Sequence, residues 1–161
     1  MVTSPGYPTI QIMMEAIIFI GIQATGKSTF YKENFFGTHV RINLDMLKTR
    51  HREKMLFETC LRMKQSFVID NTNPARNDRS KYINPAKKSG FYVTGYYFRS
   101  DISSALQRNS MRYENERIPE KGLKGTYSRL ELPSYNEGFD ELFYVTTSGD
   151  KKFKIMKWVT E

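Results

Sequence analysis

A chain of 161 residues, 39% hydrophobic and 26% charged, is long enough to bury a core and too apolar to belong to the disordered class. Its 25 Lys and Arg against 17 Asp and Glu give a net charge of +8, which favours polyanionic partners such as nucleic acid or nucleotides, or serves solubility alone. A single cysteine, Cys60, excludes an internal disulfide, and with the two histidines His39 and His51 it makes no zinc pattern.

The longest apolar run, Ala16 to Ile22, is far too short to span a membrane. Met1 to Met14 lacks the basic start and apolar core of a signal peptide. With the lone cysteine, these features predict a cytoplasmic protein without a membrane partner. Ser4 to Pro8 reads as a loose lead-in. Residues 1–13 are therefore expected to be flexible, and residues 14–161 to form a single domain.

Ala16 to Ile20 is a continuous apolar run ending before a glycine, as suits a strand covered on both faces. Ser28 to Phe36 reads as a helix, and Val40 and Ile42 mark a second short strand. Met55, Leu56, Thr59, Cys60 and Met63 recur at helical spacing and place Cys60 in the core. Ser66 to Asp70 is a third strand, and Asn73-Pro74-Ala75 opens a helix that runs to about Gly90. Tyr92 to Phe98 is a fourth strand, after which Asp101 caps a helix through about Met111. Tyr113 to Lys121 reads as a mobile polar segment, followed by a short helix over Leu123 to Leu130. Leu142 to Thr146 is a fifth strand, and the basic tail from Lys151 offers Phe153, Ile155 and Trp158 as packing anchors. Strand and helix alternate, so the expected fold is α/β, a three-layer sandwich around a mostly parallel sheet of about five strands.

Gly21-Ile22-Gln23-Ala24-Thr25-Gly26-Lys27-Ser28, continued by Thr29, matches the phosphate-loop pattern GxxxxGK[ST] between a strand and a helix. Glycines let the backbone turn its N–H groups onto a phosphate, and the helix start offers its positive end to the same anion. In that setting Lys27 reaches the β- and γ-phosphates of a nucleoside triphosphate, ATP in the simplest case, and the Ser28 hydroxyl ligates Mg²⁺. The alternative, a glycine turn with an exposed lysine, lacks the flanking strand and helix.

The chain is short and has no GTPase base-reading motif of the type Asn-Lys-x-Asp. Asp45 follows the second strand on the side of the sheet where ligands bind. It either accepts a proton from an attacking hydroxyl or caps a helix. Asp70 ends the third strand, where P-loop enzymes hold Mg²⁺ through water, while Asn71, Thr72 and Asn73 either orient substrate or form an Asn-Pro turn. Arg108 and Arg112 are four apart, share a helix face, and either reach phosphates or simply suit a helix end.

Taken together, the phosphate loop, Asn43-Leu44-Asp45, Ile69-Asp70-Asn71-Thr72-Asn73-Pro74 and Gln107-Arg108-Asn109-Ser110-Met111-Arg112 resemble polynucleotide 5′-hydroxyl kinases. The similarity covers roughly Ala16 to Val145 and extends to the kinase domains of end-healing enzymes; zeta-toxin-like kinases share parts of it. The resemblance implies a P-loop kinase with a helical lid, using ATP and Mg²⁺ on nucleic acid 5′-hydroxyl ends. It implies Asp45 as general base, and Arg108 and Arg112, with Arg117 and Arg79 as further candidates, as lid arginines on the phosphates. Lys48 stands where the family often has an arginine for the substrate's neighbouring phosphate, and it lacks the bidentate fork. Leu44 replaces the arginine usual between the Asn and the Asp. Leu132 to Asp140 resembles the Pro…Glu-Gly-Phe element of related kinases and is expected to close the nucleotide side. The sequence carries neither an acidic phosphatase nucleophile motif nor a ligase lysine motif, so the chain is either a kinase module that works with a separate phosphatase or ligase partner or one excised from a larger enzyme. Two other activities fit the same residues: a kinase of a small hydroxyl compound, and a nucleotide-dependent nucleic-acid-binding module without turnover.

Overall fold

A computed structural model describes residues 13–159. Nearly all of the expected lead-in, residues 1–13, lies outside the described residues, as do the last two positions. Strand β1 (Glu15–Ile20) is buried from Ala16 onward, as its apolar, β-branched residues require. After the phosphate loop come α1 (Lys27–Asn34), β2 (Val40–Ile42), the one-turn helix α2 (Leu44–Leu47) and α3 (Arg50–Met63). The chain continues through β3 (Phe67–Ile69), α4 (Arg76–Lys88), β4 (Tyr92–Phe98), α5 (Ile102–Ser110) and α6 (Glu120–Ser128) to β5 (Glu141–Thr147) and β6 (Phe153–Lys157).

The strands form one sheet in the order β2-β3-β1-β4-β5-β6. The first five are parallel and β6 runs antiparallel to β5. In β1, Ala16 pairs with Phe67 on one side and Val93 on the other. Side chains alternate across the sheet. Ile18 and Ile20 face Ile42, Phe57, Cys60, Tyr82 and Ile83, the layer of α3 and α4. Ile17 and Phe19 face Phe30, Phe98 and Val145, the layer of α1. On that second face Phe30 meets Phe19 and Phe98 edge to face at 5.7 and 5.2 Å between centroids. Cys60 is fully buried among these side chains, and burial pushes its thiol up, away from reactivity.

Three features differ from the sequence expectation. The tail after Lys151 is a sixth strand: it turns back through Ser148–Lys151, with Lys152 O accepting from Ser148 N at 2.9 Å, and pairs along β5. Two of its three expected anchors pack, Phe153 on Phe30 at 5.1 Å and Trp158 on Tyr97 at 5.4 Å, whereas Ile155 is exposed. Tyr113 to Lys121 is not a loose linker, because it holds a 3-10 turn at Glu114–Glu116 and the start of α6. Buried Asn109 ties it down, donating to Ile118 O at 2.7 Å and accepting from Ile118 N at 3.0 Å.

The third is a correction. Leu132 to Asp140 does not close the nucleotide side. A chain entering a parallel strand arrives at the amino ends of its neighbours, and there Asp140 N and Val93 O, and Val93 N and Asp140 Oδ2, pair at 2.8 Å each. Glu137 from this element instead grips Arg79, which is fully buried. The pair is bidentate at 2.7 and 2.8 Å, and Arg79 Nη1 also donates to the carbonyls of Asn73, Pro74 and Glu131. Arg79 is thus a structural clamp and not a lid arginine.

Candidate active site

The phosphate loop leaves the carboxyl end of central β1. Gly21 has φ 150°, and a Cβ there would sit 3.0 Å from Phe98 O. Gly26 has φ 92°, and a Cβ there would meet the Phe153 ring at 3.1 Å. Both positions therefore need glycine. Lys27 folds over the loop and donates to Gly21 O at 2.9 Å and to Thr25 Oγ1 at 3.3 Å, with Ile22 O also accepting. Burial pulls its pKa from 10.5 down to about 8; Asp70 opposes this, Arg112 adds to it and Asp45 opposes it more weakly.

The folded state thus releases the Lys27 proton before the unfolded chain does. This group adds stability as the pH rises from about 8 to 10.5. Lys27→Met is expected to flatten that part of the stability profile and to abolish nucleotide binding. Denaturant unfolding of both proteins across this pH window checks the first point, and an unchanged slope in Lys27→Met would assign the rise elsewhere.

Ahead of the loop lies a cavity of about 490 Å³. Its walls carry Gln23, Ala24, Thr25, Gly26, Lys27, Ser28 and Thr29 from the loop and α1. Of the other expected residues, Asp45, Asp70, Asn71, Thr72 and Arg112 line the same cavity. The Ser28 hydroxyl donates to Asp70 Oδ2 at 3.1 Å. Asp70 is 2% exposed, placed by the end of β3.

Asp45 stands in the first turn of α2. The capping alternative falls to its neighbour: Asn43 is the N-cap, its Oδ1 accepting from Met46 N at 2.9 Å. Asn43 Nδ2 in turn donates to Asp70 O. Asn71 Oδ1 accepts from Leu44 N, and Asn71 Nδ2 donates to Glu53 Oε2, both at 2.9 Å. Glu53, 4% exposed, also accepts from Tyr82 OH at 2.7 Å. Two asparagines backed by a buried glutamate therefore fix α2, while the Asp45 carboxylate is exposed to the cavity with no hydrogen bond to another described side chain.

Other expected residues lie outside this wall. Gly21 is under the loop, its N–H donating to Thr72 O at 2.9 Å. Asn73 is buried and donates to Phe19 O at 2.8 Å, bracing β1. Lys48 is exposed at the end of α2. Arg108 lines a separate cavity of about 130 Å³ beside Thr25. The shared helix face expected for Arg108 and Arg112 is not formed, because α5 ends at Ser110, where Asn109 draws the chain toward Ile118. Arg117 donates to Arg112 O at 3.0 Å and braces that turn. Gln23 Nε2 links the phosphate loop to α6 through Thr126 Oγ1 at 3.0 Å.

Sequence reading missed Arg41, Arg50 and Glu53, and gave Asn43 no role. Arg41 Nε reaches Asp70 Oδ2 at 2.8 Å, and its Nη2 reaches Ser28 Oγ at 2.9 Å. The available signals were a polar residue on each side of Ile42 at a strand end, and a glutamate in step with Phe57 and Cys60 on the core face of α3.

Residues 47–133, just over half of the chain, match the family described as an AAA domain. The chain belongs to this family of P-loop kinases. The kinase domain is similar to the bifunctional polynucleotide phosphatase/kinase of Schizosaccharomyces pombe, 29% identical over 78% of this chain and 32% of that protein. A putative bifunctional polynucleotide phosphatase/kinase of Acanthamoeba polyphaga mimivirus is 33% identical over 85% of this chain and 34% of that protein. The kinase domain therefore spans about a third of the length of these relatives. In fold it is similar to a gluconokinase from Sinorhizobium meliloti, with a TM-score of 0.60 at 16% identity over 83% of each chain. No helix among the described residues is long and apolar enough to cross a membrane.

Proposed function

We propose that this P-loop kinase domain transfers the terminal phosphoryl group of ATP to the 5′-hydroxyl end of a nucleic acid. The observation that carries the reading is the meeting, in one cavity, of the phosphate loop, the exposed Asp45 carboxylate and the Arg112 guanidinium. A grip for the donor, a base for the acceptor and a cation for charge developing between them are the parts that in-line transfer needs. The names of the two polynucleotide phosphatase/kinases support a nucleic acid acceptor.

Ser28 and Asp70 present hard oxygen donors 3.1 Å apart beside the loop, and a positive group already seats against both, so the pair suits Mg²⁺. When bound there, the ion would neutralise phosphate charge. Lys27 and the loop N–H groups hold the donor's phosphates. Asp45 orients the acceptor hydroxyl and takes its proton. Arg112 meets charge on the transferring group. Arg108, in its side cavity beside Thr25, reaches the donor's phosphates from that side. Asn71 and Thr72 shape the acceptor wall. No covalent enzyme intermediate is required. Residues 14–161 act as one kinase unit, either beside a separate phosphatase or ligase partner or as a module of a larger enzyme.

One observation favours a small hydroxyl acceptor instead. Lys48, the counterpart of the family's phosphate-binding arginine, is exposed and absent from the cavity wall, although Arg50 does line it. A panel of labelled ATP with 5′-hydroxyl DNA and RNA oligonucleotides, nucleosides and sugar acids decides. Label is expected on the oligonucleotide ends, more weakly as salt rises. Label on small acceptors alone would overturn the nucleic acid reading, and no label anywhere would overturn the kinase reading of the site.

A further inference from the structure

Arg41 carries an inference of its own. From the middle of β2 its guanidinium reaches over the site, with Nη2 at 2.7 Å and Nε at 2.8 Å from the same Asp70 oxygen. Nη2 also donates to Ser28 Oγ at 2.9 Å. The two groups that suit a divalent cation are thus bridged by a monovalent one.

The charges explain why. Asp70 is 2% exposed, and a carboxylate that deeply buried needs a counter-charge. Lys27 does not supply it directly, since its ammonium is held by loop carbonyls. Among the described residues Arg41 is the only ion-pair partner of Asp70. The Arg41 side chain is 25% exposed, and its guanidinium lies 5.8 Å from the Tyr31 ring centroid, so it has both solvent and an aromatic face to move onto.

We propose that Arg41 is the resident counter-ion of the metal seat. It holds Ser28 and Asp70 in their ligating arrangement and competes with the divalent cation for Asp70, which sets the cation concentration at which the seat fills. The proposal rests on reading Ser28 and Asp70 as the metal pair. Two cations cannot share one carboxylate oxygen at full strength, so whatever strengthens one weakens the other. Arg41 is a positioning residue here: it acts through Asp70 and Ser28, not on the phosphoryl group.

The test is binding of Mn²⁺ alone, followed by its electron spin resonance signal, to the wild type, Arg41→Gln, Arg41→Lys and Arg41→Gln/Asp70→Asn, with melting curves against MgCl₂ at constant ionic strength. Arg41→Gln keeps a donor and loses the charge. It is expected to bind Mn²⁺ about tenfold more tightly than the wild type, a change of about 1.4 kcal/mol. Its melting point is expected to be lower without Mg²⁺ and to rise steeply as Mg²⁺ is added, whereas the wild-type curve stays nearly flat. Arg41→Lys, a point charge without the fork, is expected to fall between them and remains informative if Arg41→Gln does not fold. Adding Asp70→Asn is expected to erase the gain. Equal Mn²⁺ affinity in the wild type and both single variants would overturn the proposal. Mn²⁺ binding needs no acceptor, so the two readings fail separately. Tightened Mn²⁺ binding without transfer to any acceptor would leave Arg41 in its role and sink the kinase assignment. Transfer with unchanged Mn²⁺ affinity would do the reverse.

Discussion

Asp45→Ala is expected to slow phosphoryl transfer about a thousandfold while nucleotide binding stays near its original strength. General bases contribute about 10²–10⁴ to rate, and Asp45 is the carboxylate in the cavity wall that no other described side chain engages. Asp70, the other cavity aspartate, is paired with Arg41 and Ser28. Nucleotide affinity should survive because the donor's proposed grip is the loop's own N–H groups and Lys27, and Asp45 has the weakest of the charge effects on Lys27. The fold should survive as well. Asn43 makes the cap of α2, so the loss is that of an acidic group at a helix start, about 0.3–1 kcal/mol. Asp45→Asn, which keeps the shape and removes the basicity, should lose as much rate. Single-turnover transfer and nucleotide titration on the same preparations make the comparison. Near-normal turnover in Asp45→Asn would mean that the proton leaves by another route.

Arg79→Ala is expected to cost about 3–5 kcal/mol, since it leaves the buried Glu137 carboxylate uncompensated. Against a usual stability of about 5–15 kcal/mol, that is a large share, and it should lower the melting point by about 10 °C. The three carbonyls of Asn73, Pro74 and Glu131 also lose their donor. Two of these close the turn after Asp70, so activity should fall along with stability. Arg79→Met/Glu137→Met removes both charges and should recover part of the stability but not all, because those carbonyls stay unpaired. Urea unfolding of the two variants measures both quantities. A loss below about 1 kcal/mol in Arg79→Ala would show that solvent reaches Glu137 and replaces the clamp.

The parallel core was legible in the sequence because its strands are apolar, β-branched runs and the helices between them are periodic. The same rule hid β6. Its Phe153-Lys154-Ile155-Met156-Lys157 run is exposed after Phe153 and follows a short turn, so it reads as a basic tail rather than as a strand. Helix α2 was hidden by its length, since four residues carry no periodicity. In the site, the phosphate loop is contiguous and could be read directly. Arg41 could not, because its partners Ser28 and Asp70 lie in other elements and only the parallel order of β2, β3 and β1 brings them side by side. Arg79 shows the opposite error: an arginine in a charged segment reads as exposed, whereas its five bonds pull it fully inside.

The placement of β1 also bears on the order of events during synthesis. Among the described residues it is the first strand, yet both of its neighbours, β3 and β4, come later in the chain. The phosphate loop that leaves it packs against Phe98 at the end of β4, Ser100 just past it, Thr72, and Phe153 of β6. A nascent chain that has released only β1, the loop and α1 has nothing for that loop to lean on. Parallel pairings of this kind form late, after long loops have closed. Nucleotide is therefore expected not to template the segment from β1 to α1 during translation, and a grip on phosphate is expected only when most of the sheet has emerged and closed around β1.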